Sequence, residues 1–557
     1  MNQENKICQN CKKEFEIDSE DFNFYEKIKV PAPTLCFECR QQRRYAWRNE
    51  RTLYRRDCDL CGKSTVTIYS PNKDLKVYCL KCWWGDGWDS SAYGKDFDFN
   101  RPFFEQYHEL QKQVPRMALL NKRSVNSEYT NHSGDNKNAY LSFAIWFSED
   151  VHYSTFIFYS RDCMDCSYIY DAGEKLYEVI DSRKTYNSQF GILLENCVDC
   201  FYCYDCRGCN NCFLSSNLRN QSYVFKNQKY SREEYLEKIA KYNLSSCKVR
   251  ESLEKEFKDL ISKNSVIRYT TGERNINSTG SLIFDCRNIN NSFDTEEAEN
   301  GRYLFSTMEN KDCMDLYHVG VHTTELCYEC HGCTRIANCQ FCHLCYDNMN
   351  VVYCDSCQNC QNLFGCISIK KGEYMILNKK YSKEEYHKLK EKIIDHMKKT
   401  GEYGEFFPPS IAPVCYNETQ GNYYMSLSKE EVLARGWLWE DKVPGIFGKE
   451  TIQPEEIPDL IDDVDDSITD EALKCIECTR NYNIVPNELT FYRQHKVPIP
   501  KLCPECRYKK RFTLRPPRKL WHRKCMKEGC KNKFETCYAP DRSEKVYCES
   551  CYNKEVY

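Results

Sequence analysis

The sequence predicts a mainly β protein with small α+β zinc modules. Tandem four-cysteine domains of zinc-ribbon or treble-clef type stand at both termini and flank two cysteine-lined, β-solenoid-like repeats with helical caps. Three observations predict this: a cysteine spacing that recurs at the two ends, a middle that is itself duplicated, and a cysteine track of period three inside each middle copy.

Cys8-x2-Cys11, 24 residues, Cys36-x2-Cys39 returns as Cys475-x2-Cys478, 24 residues, Cys503-x2-Cys506. In both copies 18 residues follow before a second set opens, Cys58-x2-Cys61 with Cys79-x2-Cys82 at the front and Cys525-x4-Cys530 with Cys548-x2-Cys551 at the back. A tight turn places two thiolates on one side of a tetrahedral ion and a distant turn supplies two more, so these sixteen cysteines are the expected ligands of four structural Zn²⁺ sites. An all-thiolate set leaves no open position for a substrate, which makes the sites structural rather than catalytic.

The middle is duplicated at an offset of about 150, as Ser231 with Glu234 against Ser382 with Glu385 shows; both pairs are capping boxes that should start helices. Inside the copies run cysteines 197, 200, 203, 206, 209, 212 and 327, 330, 333, 339, 342, 345, 354, 357, 360, 366. A helix repeats at 3.6 and a strand at two, so neither accounts for a period of three. Short bent strands that turn one small side chain inward at every corner of a narrow coil do.

The expected order is zinc module 1 (1–56), zinc module 2 (57–100), a connecting helix (101–125), solenoid-like copy 1 with cap helices (126–265) and copy 2 with a cap helix (266–400). An irregular segment with a short helix (401–440), an acidic linker (441–472), zinc module 3 (473–524) and zinc module 4 (525–557) complete it.

A length of 557 residues asks for three to five domains. With 39 Cys, 41 Tyr and 28 Phe but a mean hydropathy of -0.73, the cores should be small and numerous. The first residues lack a secretory leader's charge and apolar run, and no stretch approaches the roughly 18 apolar residues of a membrane helix. The expected compartment is the cytoplasm, where thiols stay reduced and regular cysteine spacing means metal ligation or burial.

The net charge of -3 hides two cationic connectors, each lying between the two zinc sets of its end. The first holds Arg40, Arg43, Arg44, Trp47, Arg48, Arg51, Arg55 and Arg56; the second holds Arg507, Lys509, Lys510, Arg511, Arg515, Arg518, Lys519 and Arg523. Arginine interleaved with aromatic residues suits phosphate contacts and base stacking, so the expected partner is RNA or DNA, the ribosome included. The bland alternative is a solvated cationic face, or one docked on the acidic segment 455–471.

Two other classes stay open: a protein–protein scaffold, and an iron–sulfur or thiol redox protein built on the period-three track. The ferredoxin ending C-x3-C-P is missing from both tracks, which ranks a cluster below plain burial of small thiols. Gly62-Lys63-Ser64 lacks the upstream glycine of a phosphate loop, His108-Glu109 lacks a second histidine, and no nucleophile elbow occurs. The expectation is therefore a non-enzymatic protein with no membrane and no small-molecule substrate.

Val30-Pro31-Ala32-Pro33-Thr34-Leu35-Cys36, the run Cys39-Arg40 to Arg51, Tyr78-Cys79 to Trp84, Asn126-Ser127-Glu128-Tyr129-Thr130-Asn131 and Asp162-Cys163-x2-Cys166 together resemble a group of zinc-ribbon proteins from bacteria of the candidate phyla radiation. The resemblance covers most of the length. It implies zinc binding and a bacterial cytosol, and carries no activity.

Overall fold

The computed structural model describes residues 3–318 and 323–557. It is mainly β with few helices, and among the described residues no helix is long and apolar enough to cross a membrane. The chain forms two compact units. One combines 1–119 with 270–443 and 518–520; the other combines 120–269 with 444–517 and 521–557. Each therefore takes one terminal pair of cysteine modules and one middle copy, and the pairing is crossed: the N-terminal modules join the second copy, the C-terminal modules the first.

In both units the middle copy is a stack of short parallel strands. In the second unit they form most of a 15-stranded sheet, with Thr155 beside Ser167, Ile180 beside Ile192 and Cys200 beside Cys212, an offset of 12. In the first unit Phe293 lies beside Phe305 and Val351 beside Leu363, again 12 apart. Twelve residues per turn with a corner at every third residue is the origin of the period-three track. Nearly every third residue has φ near +50, as at Asn138, Asp150, Asp162 and at Asn338, Asn350, Asn362, and the residue after it points inward. The chain accepts left-handed corners here because Asn and Asp tolerate them. Among the described corners of the stacks none is Val, Ile or Thr, whose branched Cβ would clash.

The interior of each stack is where the cysteines go. Cys197, Cys200, Cys203, Cys206 and Cys212 are 0% exposed, as are Cys327, Cys330, Cys339, Cys342 and Cys354. Each thiol donates to carbonyls of the stack: Cys197 to Glu195 O (3.4 Å) and Cys206 O (3.2 Å), Cys342 to Gln340 O (3.2 Å) and Val351 O (3.3 Å). Ion pairs and amide ladders run along the outside, with Asn338 donating to Asn350 (2.8 Å) and Asn350 to Asn362 (3.1 Å).

The two expected capping boxes, and a third of Ser428 with Glu431, start helices Arg232–Ile239, Lys383–Lys399 and Lys429–Ala434, and the connecting segment holds helix Phe103–Gln113. The segment 441–472 departs from the expected loose acidic linker. Ile457, Ile461, Val464 and Ile468 are buried in the core of the second unit with Leu489, Tyr492 and Val497, while the acids between them face outward. Apolar residues three to four positions apart pin the strand of acids to the body.

Candidate metal centres and the arginine clamps

All four modules share one construction. A short antiparallel hairpin, such as Glu4–Ile7 with Glu14–Ile17 or Tyr54–Asp57 with Ser64–Thr67, carries the first two cysteines in its turn. A left-handed residue completes each turn: Lys12, Gly62, Thr479 and Gly529. The third cysteine then stands at the N-cap of a helix and the fourth in its first turn; the helices are Phe37–Tyr45, Leu80–Trp84, Pro504–Leu514 and Glu549–Val556. In every module the amide of the third cysteine donates to the sulfur of the first at 3.3 Å: Cys36 to Cys8, Cys79 to Cys58, Cys503 to Cys475, Cys548 to Cys525. Helix N-termini and amide donors both favour thiolate.

Within each set of four the sulfurs lie within 4.8 Å of one another, and among the described residues these four sets could hold metal ions. The fit to a tetrahedral ion is close. A metal–sulfur bond of about 2.3 Å requires sulfurs roughly 3.8 Å apart, and Cys11–Cys36, Cys61–Cys79, Cys478–Cys503 and Cys530–Cys548 stand 3.7, 4.0, 3.6 and 3.8 Å apart.

One thiol per set is held below the ordinary range. Hydrogen bonding from the Cys36 thiol, against burial, brings Cys39 to about 5. Burial opposes but the amides of Cys79, Cys61 and Leu60 bring Cys58 to about 7. Burial likewise opposes at Cys475 and Cys548, which amide and side-chain donors bring to about 7 and about 6. A bound cation would take its ligands as thiolates, so metal binding at these sets would release protons.

The connectors do not lie where the sequence analysis put them. Arg40, Arg44, Trp47 and Arg48 are at most 2% exposed, and so are Arg507 and Arg511. In the first unit Arg40 Nε donates to Asp315 (2.9 Å) and Arg44 donates to the same carboxylate (2.8 Å) with Glu329 beyond it (3.3 Å). In the second unit Arg507 meets Asp165 (3.0 Å) and Glu488 (3.4 Å), while Arg511 meets Asp165 (2.7 Å) and Glu178 (3.4 Å).

Each clamp thus sets two arginines of a module helix on acids that occupy one corner of a stack on successive turns. Arg43 donates to Phe407 O (3.1 Å), Arg48 pairs with Glu50 (3.0 Å), and Arg56 donates to Leu75 O (3.0 Å). Arg515 pairs with Asp181 (2.8 Å), Arg518 with Asp294 (2.7 Å), and Arg523 donates to Ala539 O (3.1 Å). Lys510 pairs with Glu254, and Arg51 is half-buried. Only Arg55, Lys509 and Lys519 of the expected nucleic-acid set are exposed. A guanidinium sealed against a carboxylate offers no phosphate contact, so the display of these arginines to RNA or DNA is corrected to internal docking. Asp165, Glu178, Asp181, Asp294, Asp315 and Glu329 of the stacks receive them, with Glu50, Glu254 and Glu488 from outside, and none of these acids lies in 455–471.

These receiving corners are not apparent in the sequence read along the chain. Read at one residue per turn, the corner that faces the module is Tyr153, Asp165, Glu178, Phe190, Tyr202 in one stack and Tyr303, Asp315, Glu329, Phe341, Tyr353 in the other. The five residues are identical in kind and order. Arg507 lies over the Tyr153 ring at 4.7 Å and Arg40 over Tyr303 at 5.6 Å. The usable signal was the recurrence of Asp162-Cys163-Met164-Asp165 as Asp312-Cys313-Met314-Asp315, read every twelfth residue rather than along the chain.

The track thiols lie near stack carbonyls, and among the described residues the groups of sulfurs close enough to share a metal ion are the four terminal sets. Compared with protein-family models and with curated proteins, the chain matches none.

Proposed function

We propose that this chain is a zinc-organised, non-enzymatic binding scaffold of the bacterial cytoplasm. Four tetrathiolate zinc sites of treble-clef type fold the terminal modules, each pair of modules is locked onto a β-solenoid of twelve-residue turns, and the outward faces of the solenoids receive a protein partner. The observation that carries this reading is the burial of Arg40, Arg44, Arg507 and Arg511 on solenoid acids. The cationic side chains a nucleic-acid protein would display are consumed inside each unit. An exposed aromatic pair on one solenoid, Phe147 at 39% and Tyr159 at 52% with rings stacked 4.9 Å apart, supports a protein-facing surface.

Two measurements test it. Elemental analysis of protein purified without added metal should give four zinc and no iron per chain, and a chelator should unfold the modules, since structural zinc contributes roughly 10–16 kcal/mol of folding energy. Affinity capture from lysate should retain its protein partner after nuclease treatment. A mobility shift with RNA or DNA at low salt, lost on substituting the exposed Arg55, Lys509 and Lys519, would overturn the scaffold reading in favour of nucleic acid.

A further inference from the structure

A cleft recurs at the same positions of both units. In the second unit, helix Pro486–Gln494 and one corner of the stack enclose about 530 Å³, lined among others by Asn138, Asp150, His152, Asp162, Asn487 and Phe491. In the first unit, helix Ser19–Ile28 and the matching corner enclose about 410 Å³. There Asn288, Asn300 and Asp312 stand 150 positions after Asn138, Asp150 and Asp162, and Glu20, Asn23, Phe24 and Lys27 stand 467 before Asn487, Thr490, Phe491 and Gln494. A gap left by chance between a helix and a stack has no reason to keep an amide–carboxylate corner and a phenylalanine in both copies.

The chemistry of the second-unit cleft selects a ligand class. Asn138 donates one amide hydrogen to Asp150 (2.9 Å) and accepts from Asn126 (3.0 Å), so each rung keeps one donor and one acceptor for another molecule. Asp162 takes His495 Nε2 at 3.2 Å and Arg161 pairs with Glu174 at 2.8 Å, while Asp150 and Lys175 set one further charge of each sign on the wall. His152 is 7% exposed and its Nδ1 has no hydrogen-bond partner, an unsatisfied polar atom at the cleft wall.

No three ligand atoms converge here as the cysteine sulfurs do, which argues against a cation, and the carboxylates argue against an anion. The volume falls in the range of about 300–1,000 Å³ usual for small ligands. We infer that this cleft binds a neutral, polyhydroxylated ligand of the pyranose-sugar class, its hydroxyls bridging His152, Asp150 and the amide corner with Phe491 as the apolar wall. The first-unit cleft is the weaker copy. Arg302 replaces the histidine there and is engaged with Asp21 (3.0 Å), and Lys27 crosses to Asp312 (2.9 Å).

The test uses the full chain with its metal and saturation-transfer NMR, with cellobiose, maltotriose and chitobiose offered one at a time. At least one sugar should receive saturation, and its signal should fall at least tenfold in His152→Ala and in Asn487→Ala. Because His152 is buried, Asn487→Ala on the helix surface is the variant that keeps the fold, checked by an unchanged melting curve. Absence of transfer to all three sugars, transfer that survives both substitutions, or binding of a Gly-Ser-Gly-Ser peptide in place of any sugar would each overturn the assignment.

Discussion

Replacing Asp315 by alanine removes the anion shared by Arg40 and Arg44, both of which reach it at 2.8 Å from positions at most 2% exposed. What remains for Arg44 is Glu329 at 3.3 Å, and for Arg40 the Leu35 carbonyl at 2.8 Å and the same Glu329 at 3.8 Å. Breaking a buried pair by deleting one partner costs about 3–5 kcal/mol, because the surviving charge keeps its desolvation penalty without its attraction. Two guanidiniums are stranded here, which places the expectation at the upper end. Ionisation of Glu329, which burial holds up at about 8, would offset part of it. The assay is chemical denaturation followed by tryptophan fluorescence with saturating zinc. Six tryptophans (47, 83, 84, 88, 437, 439) lie in the first unit and two (146, 521) in the second, so the signal reports chiefly the affected unit. The exposed Arg55→Ala should change stability by no more than about 0.5 kcal/mol. A loss below about 1 kcal/mol in Asp315→Ala would refute the reasoning that the clamp joins module to stack.

Burial, with Asp315 and Glu405 adding to it and Arg44 opposing, raises Glu329 above its ordinary range, so between about 4.5 and about 8 the folded state binds the extra proton and stability declines as pH rises. Glu329→Gln should therefore gain on the parent between pH 6 and pH 9, and parallel denaturation curves at the two pH values would contradict this. Cys342→Ser should leave the zinc content at four per chain while lowering stability by about 1–3 kcal/mol, since that thiol lies in the packed interior and not in a metal set; loss of metal in the variant would argue for ligation. Asn350, at φ +57, should tolerate Gly but lose at least about 1–2 kcal/mol on changing to Val, measured by thermal melts of the two variants side by side. Equal melting of the two would remove the left-handed corner from the account of period three.

What was legible in the sequence was what repeats along the chain. Sixteen cysteines in paired turns, a period of three and three capping boxes are local patterns, and the sets they define come together. What was not legible is what repeats around the stack. Asp315 and Arg44 are 271 residues apart, Tyr153 and Arg511 are 358, and the corner that links them advances twelve to fourteen residues per step through unlike neighbours. Arginine and aromatic residues side by side describe a phosphate-binding strip as readily as a buried clamp with tyrosine under one guanidinium of each pair. The segment around Ile461 was obscured in the same way, because four isoleucine and valine contacts are outnumbered locally by the aspartates between them.

The crossed pairing of termini and middle copies sets the order in which the molecule can be completed during synthesis. Arg40 leaves the ribosome 275 residues before Asp315, and Asp165 emerges 342 residues before Arg507. Neither half can finish while its own neighbour in the chain is being made. At protein-synthesis rates of about 5–20 residues per second the amino-terminal modules wait for their seat some tens of seconds, with only bound metal to keep them ordered. The nascent first stack waits equally long with its acidic corner bare. A release of the chain before residue 507 would leave Asp165 and its neighbours on that corner without the arginine that seals them.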